Sequence, residues 1–173
     1  MDQRQPEAAA RVQFEAERSR RQIGLVSEAY PGMDMDDAYA IQAALVRLKR
    51  EEGDPAIGWK IGLTSRAMQA ALSIDIPDSG VLFQSMVFAN GAAIPADRFI
   101  QPRIEAELAF VMKAPLSGKP SPEEIRAATD YVAPALEMLD TRILRKSAET
   151  GRMRTVFDTI ADNAANAGVV VGA

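Results

Sequence analysis

The chain contains no cysteine and no histidine. Without cysteine there is no disulfide framework and no thiolate ligand, which fits a reducing cytoplasm. Without histidine there is no Ser-His-Asp triad and no zinc site of the usual nitrogen–sulfur kind. Acid–base chemistry therefore falls to Lys, Asp, Glu, Tyr or water. Any metal must be held by oxygen, which favours a hard ion such as Mg²⁺ or Mn²⁺. No apolar run approaches membrane-spanning length, so no membrane partner is expected. The opening stretch MDQRQPEAAARVQFEAERSRRQ is too charged for a signal peptide. A net charge of −4 offers no basic surface for nucleic acid.

What is there suits one domain with a buried core, since the chain has 173 residues and is 47% hydrophobic. Residues from Pro6 to Ala29 read as helical, with Val12, Ile23 and Val26 as apolar points. Asp34 caps a second helix through about Glu52, with Ala38, Ile41, Leu45 and Leu48 at helical spacing. Gly53-Asp54-Pro55 ends it. Residues 1–54 thus form an N-terminal helical part, and residues 55–173 a β-rich part of the same domain. Ile57 to Thr64 alternates, with Ile57, Trp59, Ile61 and Leu63 on one face and Gly58, Lys60, Gly62 and Thr64 on the other. Ser65 caps a short helix, Arg66 to Leu72. Pro77-Asp78-Ser79-Gly80 reads as a turn, and Val81 to Phe88 as a strand ended by Asn90-Gly91. Ser121-Pro122-Glu123-Glu124 starts a helix reaching about Tyr131. Ala133 to Leu139 reads as a strand, residues 141–154 as a charged loop, Val156 to Ala167 as a helix or irregular loop, and Gly168 to Val171 as a further strand. That last strand requires partners.

The most telling residues lie in Ile104-Glu105-Ala106-Glu107-Leu108-Ala109-Phe110-Val111. In a strand, Glu105 and Glu107 share a face, and Ile104, Ala106, Leu108 and Phe110 pack on the other. Two like charges this close repel, and burying them unpaired is costly. A polar outer face is the plain reading of such a pair. Glu137, isolated in apolar Ala133-Pro134-Ala135-Leu136-Glu137-Met138-Leu139, points the other way. Three carboxylates from two strands can cap one face of an octahedral ion and leave positions for substrate and water. Lys60 sits between Gly58 and Gly62, either as a solvated lysine or as a cation beside a developing oxyanion. Asp78 is either a turn residue or part of a site, and Asp162-Asn163 either a helix end or a pocket lining. Arg142, Arg145, Lys146, Arg152 and Arg154 read as a solvated loop, with contact to the far carboxylate of a diacid as the sharper alternative. Trp59 reads as a core residue.

Four segments occur in order: Gly58-Trp59-Lys60-Ile61-Gly62-Leu63-Thr64-Ser65, Pro77-Asp78-Ser79-Gly80, Pro102-Arg103-Ile104-Glu105-Ala106-Glu107-Leu108-Ala109-Phe110 and Ala133-Pro134-Ala135-Leu136-Glu137. Together with Val156 to Gly168, they make the chain resemble the hydratase/decarboxylase branch of the fumarylacetoacetate hydrolase superfamily. The resemblance implies an α+β fold, with the N-terminal helical part and a mixed, strongly curved β-sheet. It implies a Mg²⁺ or Mn²⁺ site held by Glu105, Glu107 and Glu137, with Lys60 and Asp78 catalytic; Asn163, as a pocket lining, is the candidate substrate contact. It implies a cytoplasmic homo-oligomer built from pentamers and a small-molecule 2-oxo acid as substrate. The implied reaction is hydration of a 2-oxo-alkenoic (di)acid such as 2-oxohept-4-ene-1,7-dioate, in aromatic meta-cleavage catabolism. A 4-oxalocrotonate-type decarboxylase and an inactive truncated remnant are the alternatives. Two departures stand out. Trp59 replaces a histidine or a small or basic residue, and the family domain is longer than this chain.

Overall fold

A computed structural model describes residues 5–71 and 74–172. The chain opens with α1 (Gln5–Ser19) and a short α2 (Val26–Ala29). One continuous helix to Ala29 was the expectation, and the structure breaks it at Arg20. That residue takes a left-handed φ of 54°. The Arg20 and Arg21 amides then donate back to the Glu17 and Ala16 carbonyls, which closes the helix as a Schellman motif. Glycine usually fills that position, and an arginine there gives no signal. Ile23 leaves the helical path and makes a parallel bridge to Ile143.

α3 (Met35–Glu51) starts as expected, with Asp34 and Asp37 in a reciprocal capping box. β1 (Ala56–Gly62) leads to α4 (Arg66–Ala71), whose Met68 amide donates to Ser65 Oγ. The expected end of that helix, Leu72, lies outside the described residues. β2 (Asp78–Phe83) pairs antiparallel with β1. Asp78-Ser79-Gly80 is therefore strand and not turn. The expected strand Val81 to Phe88 is divided, because a 3-10 turn at Gln84–Met86 separates β2 from the two-residue β3 (Val87–Phe88). There follow β4 (Arg103–Met112), α5 (Pro122–Ala128), β5 (Thr129–Leu139), α6 (Val156–Ala161) and β6 (Asn166–Val171). α5 stops three residues before Tyr131, where the chain passes directly into β5.

Helix and sheet are thus mixed in an α+β arrangement, and the described strands form two sheets. β1 and β2 make a ribbon, while the larger sheet has the order β3-β6-β5-β4. β6 runs parallel to β3 and antiparallel to β5, so the larger sheet is mixed and its last strand is paired on both sides. The main core joins helices to a loop. Ala10 of α1, Ile41 and Leu45 of α3 and Ile160 of α6 close around Ile143. Burying each of the leucine and isoleucine side chains contributes about 1.5–3 kcal/mol.

Two strands present their apolar sides outward, against expectation. Ile57, Trp59 and Ile61 of β1 are exposed, Trp59 by 64%, and so are Ile104, Leu108 and Phe110 of β4. The alternation was read correctly, but in β1 the side turned inward is the one carrying Lys60. Among the described residues, no helix is long and apolar enough to cross a membrane.

Candidate active site

Strand register assembles the site. Glu105 of β4 stands directly opposite Glu137 of β5, and Glu107 opposite Ala135. Directly opposed residues share a face, so all three carboxylates point the same way. One oxygen from each lies within 4.8 Å of the others. Glu137 is buried, whereas Glu105 and Glu107 are exposed along the outermost strand.

The ribbon supplies the other two groups by the same rule. Lys60 pairs with Gly80 and Asp78 with Gly62, so each charged side chain lies across from a glycine. The glycines are needed for space. A Cβ on Gly62 would stand 2.3 Å from Asp78 Oδ1 and 2.7 Å from Lys60 Nζ. A Cβ on Gly80 would stand 2.5 Å from the Asn163 carbonyl oxygen. Lys60 Nζ reaches to 3.7 Å from Glu137 Oε1, joining the ribbon to the larger sheet.

Burial sets the electrostatics. It pushes the Glu137 carboxyl up to about 7, against the pull of Lys60 and with reinforcement from Glu105, Glu107 and Asp78. Asp78 is raised by burial as well, with Lys60 again opposing. Glu137 Oε1 and Asp78 Oδ1 are buried without a hydrogen-bond partner. Buried acceptors without donors are rare in folded proteins. A hard divalent cation fits three oxygen donors on one face and removes their mutual repulsion.

These groups open on a cavity of about 400 Å³ lined by Lys60, Asp78, Glu105 and Glu107, within the range of small-ligand sites. Thr155, the N-cap of α6, and Thr159 within that helix line it as well. The sequence reading missed both. The available signal was the spacing Thr155-x-x-Asp158, a capping box that the structure forms. Asp158 itself is fully buried and accepts from the Ser27 and Thr155 amides and hydroxyls.

The structure does not bring the Asn163 side chain to this cavity. Its amide is buried, accepting from the Val81 amide at 2.7 Å and donating to the Val81 carbonyl at 2.9 Å. It ties the 3-10 turn after α6 (Asn163–Ala165) to β2 instead. The next two residues, Ala164 and Ala165, line the cavity. All three have left-handed φ of 52–59°, a strained backbone for residues with a Cβ.

The basic loop divides. Arg142 is buried rather than solvated. It donates to Asp162 at 2.6 Å and to the Asp162 carbonyl at 2.6 Å. Burial works against its charge, but Asp162, Glu17 and Asp140 together more than offset this and lift the guanidinium above its ordinary range. Arg145 and Arg154 line the cavity.

No family model matches the chain. Individual proteins do. The chain is 54% identical over 159 residues to the 2-oxo-hept-4-ene-1,7-dioate hydratase of Escherichia coli, covering 91% of this chain and 60% of that protein. It is 39% identical over 162 residues to the 2-hydroxyhexa-2,4-dienoate hydratase of Comamonas testosteroni, covering 92% and 59%. A 4-oxalocrotonate decarboxylase from Pseudomonas putida G7, solved with magnesium and adipate, superposes with a TM-score of 0.90 at 32% identity over 99% of this chain and 64% of that one. The chain thus spans about three fifths of the length of the relatives it matches.

Proposed function

The chain belongs to the hydratase/decarboxylase branch of the fumarylacetoacetate hydrolase superfamily, and from that premise we propose that it adds water to a 2-oxo-alkenoic acid. The substrate is of the type of 2-oxohept-4-ene-1,7-dioate, the product 4-hydroxy-2-oxoheptanedioate, and the setting aromatic meta-cleavage catabolism. The observation that carries this is the convergence of Glu105, Glu107 and Glu137 beside Lys60, with Asp78 on the same ribbon face.

Glu105, Glu107 and Glu137 would hold Mg²⁺ or Mn²⁺. The bound ion supplies Lewis acidity toward the oxygen at C2 of a 2-oxo acid. Lys60 adds a fixed positive charge where negative charge develops on that oxygen, in a cavity that strengthens the interaction. Asp78 is the proton carrier. Burial raises its carboxyl, so it holds a proton more readily than an exposed aspartate does. It moves a proton from C3 to C5 of the 4-ene, which brings the double bond into conjugation with the ketone. Water then bonds through oxygen at C4, and its proton goes to C3. Gly62 leaves the room in which Lys60 and Asp78 act, and Gly80 lets the backbone of Asn163 approach the ribbon.

The reading carries a cytoplasmic homo-oligomer with it. The exposed apolar stripes of β1 and β4 are surface that subunit contacts would cover. A second reading, decarboxylation of a 4-oxalocrotonate-type acid, is favoured by the superposition on the solved decarboxylase. Stabilising a dienolate serves both reactions. The test is to supply the Mg²⁺-loaded chain with both acids and to follow 4-hydroxy-2-oxo acid and CO₂. Hydroxy acid without CO₂ supports the hydratase. CO₂ release from the second acid alone replaces it with the decarboxylase. Turnover that is unaffected by chelation sinks both.

A further inference from the structure

The cavity that holds the carboxylates does not end at them. A second cavity of about 270 Å³ adjoins it, and Leu139, Arg145, Arg154 and Ala165 line both. Arg103 lines the second one. Three guanidiniums therefore gather at the end of the cavity away from Lys60.

The loop geometry presents two of them side by side. The Arg154 amide donates to the Arg145 carbonyl at 2.9 Å, and the Ser147 amide to the Arg152 carbonyl at 2.9 Å, with a bridge between Lys146 and Met153. The result is a small hairpin with Arg145 and Arg154 at its base. Among the described residues, none of Arg103, Arg145 and Arg154 forms an ion pair, whereas Arg18, Arg47, Arg126 and Arg142 each do. Arg154 spends one N–H on the Ile143 carbonyl at 3.2 Å, out of five on a guanidinium. Burial and the charges of Arg103 and Arg145 all work against its proton.

Nearby acids do not take up this charge. Asp158 and Asp162 favour the charged Arg154 but are fully buried and engaged, with Ser27 and Thr155 in one case and Arg142 in the other. Asp140 also lines the second cavity, and its two oxygens accept from the Ile100 and Gln101 amides at 2.8 and 2.7 Å. An unpaired cluster of like charges in a cavity wall is stabilised by an anion, and a planar carboxylate suits a guanidinium fork.

We infer that Arg145 and Arg154 receive the second carboxylate of a dicarboxylic substrate whose 2-oxo acid end lies at Lys60 and the three glutamates. The inference rests on the function proposed above and assigns the residues that would read the far carboxylate of its substrate. A monocarboxylic 2-oxo acid leaves the guanidiniums unpaired and binds less tightly.

The test compares 2-oxoadipate with 2-oxohexanoate, which differ only in the terminal carboxylate. Calorimetry on the Mg²⁺-loaded chain is expected to show the diacid binding roughly tenfold or more tighter. Arg154→Gln and, independently, Arg145→Gln are expected to bring that ratio toward one. Arg98→Gln, which removes a charge away from this cavity, is expected to preserve it. Arg145 is exposed, so its variant stays informative if Arg154→Gln fails to fold. Equal affinity for the two ligands, or a preference that survives both substitutions, overturns the inference alone. Failure of both ligands to bind in a Mg²⁺-dependent way overturns the inference together with the function it rests on.

Discussion

Glu107 is the informative residue to change, because it is exposed on the outermost strand and its loss leaves the core intact. Glu107→Gln is expected to lower Mg²⁺ affinity by roughly 10- to 100-fold, the scale that partners around metal sites carry. Calorimetry showing unchanged affinity would remove this residue from the proposed ligand set. Gly62 offers a second test at this scale. Gly62→Ala pushes a methyl group into Asp78 Oδ1 and Lys60 Nζ, and turnover is expected to fall at least about tenfold, a loss of some 1.4 kcal/mol in transition-state stabilisation. Gly58→Ala is the control, since its Cβ meets only Leu82 Cδ1 at 3.6 Å. Equal activity in the two variants would show that the space around Lys60 and Asp78 is not needed.

At the scale of elements, buried polar ties hold the site's walls in place. Asn163 joins the turn after α6 to β2 through both atoms of its amide, and Arg142 joins the basic loop to the end of α6 through Asp162. Asn163→Ala leaves the Val81 amide without that acceptor in the interior, and urea unfolding is expected to show a loss of about 1–3 kcal/mol. Arg142→Met takes the guanidinium partner away from the buried Asp162 carboxyl, and a loss of about 3–5 kcal/mol is expected. A variant as stable as the parent in either case would refute the structural role. Helix starts were legible in the sequence, because capping residues act within three positions of one another. Asp34 and Ser121 both cap as read. The break at Arg20, the 3-10 turn after β2 and the strand character of Asp78 were not legible. Each depends on a partner far along the chain or on a backbone angle that the residue type does not advertise.

For the whole molecule, the raised Glu137 carboxyl couples metal, protons and stability. In the folded chain it titrates at about 7, against an ordinary 4.5. Between those values the folded state holds a proton that the unfolded state has released. Without metal, this group therefore makes folding less favourable as pH rises from about 4.5 to about 7. Mg²⁺ competes with that proton, so its stabilising effect grows as pH rises and levels off above about 7. Thermal melts with and without Mg²⁺ at pH 5.5 and 8 check this. An equal rise in Tm at both values would contradict it. The exposed apolar stripes of β1 and β4 also belong to this scale. The chain is expected to self-associate at micromolar concentration, read by light scattering, and Trp59→Glu with Phe110→Glu to shift it toward monomer. A monodisperse monomer at high concentration would show the stripes to be plain surface.

The order of residues alone determined the chemistry available to this chain. It excluded imidazole and thiolate, placed two glutamates on one side of a strand and isolated a third in an apolar run. These follow from residue type and from a period of two, which need no knowledge of the rest of the chain. Tertiary structure decided which carboxylates meet, since the register of β4 against β5 sets Glu105 across from Glu137. It also decided which side of each strand faces inward. Alternation tells two faces apart without saying which one the fold covers, and so Trp59 stands in solvent while Lys60 points to the glutamates. The same packing drew Asn163 into a backbone tie and left Arg145 and Arg154 at the cavity wall, because the space around a side chain is set by its neighbours in three dimensions.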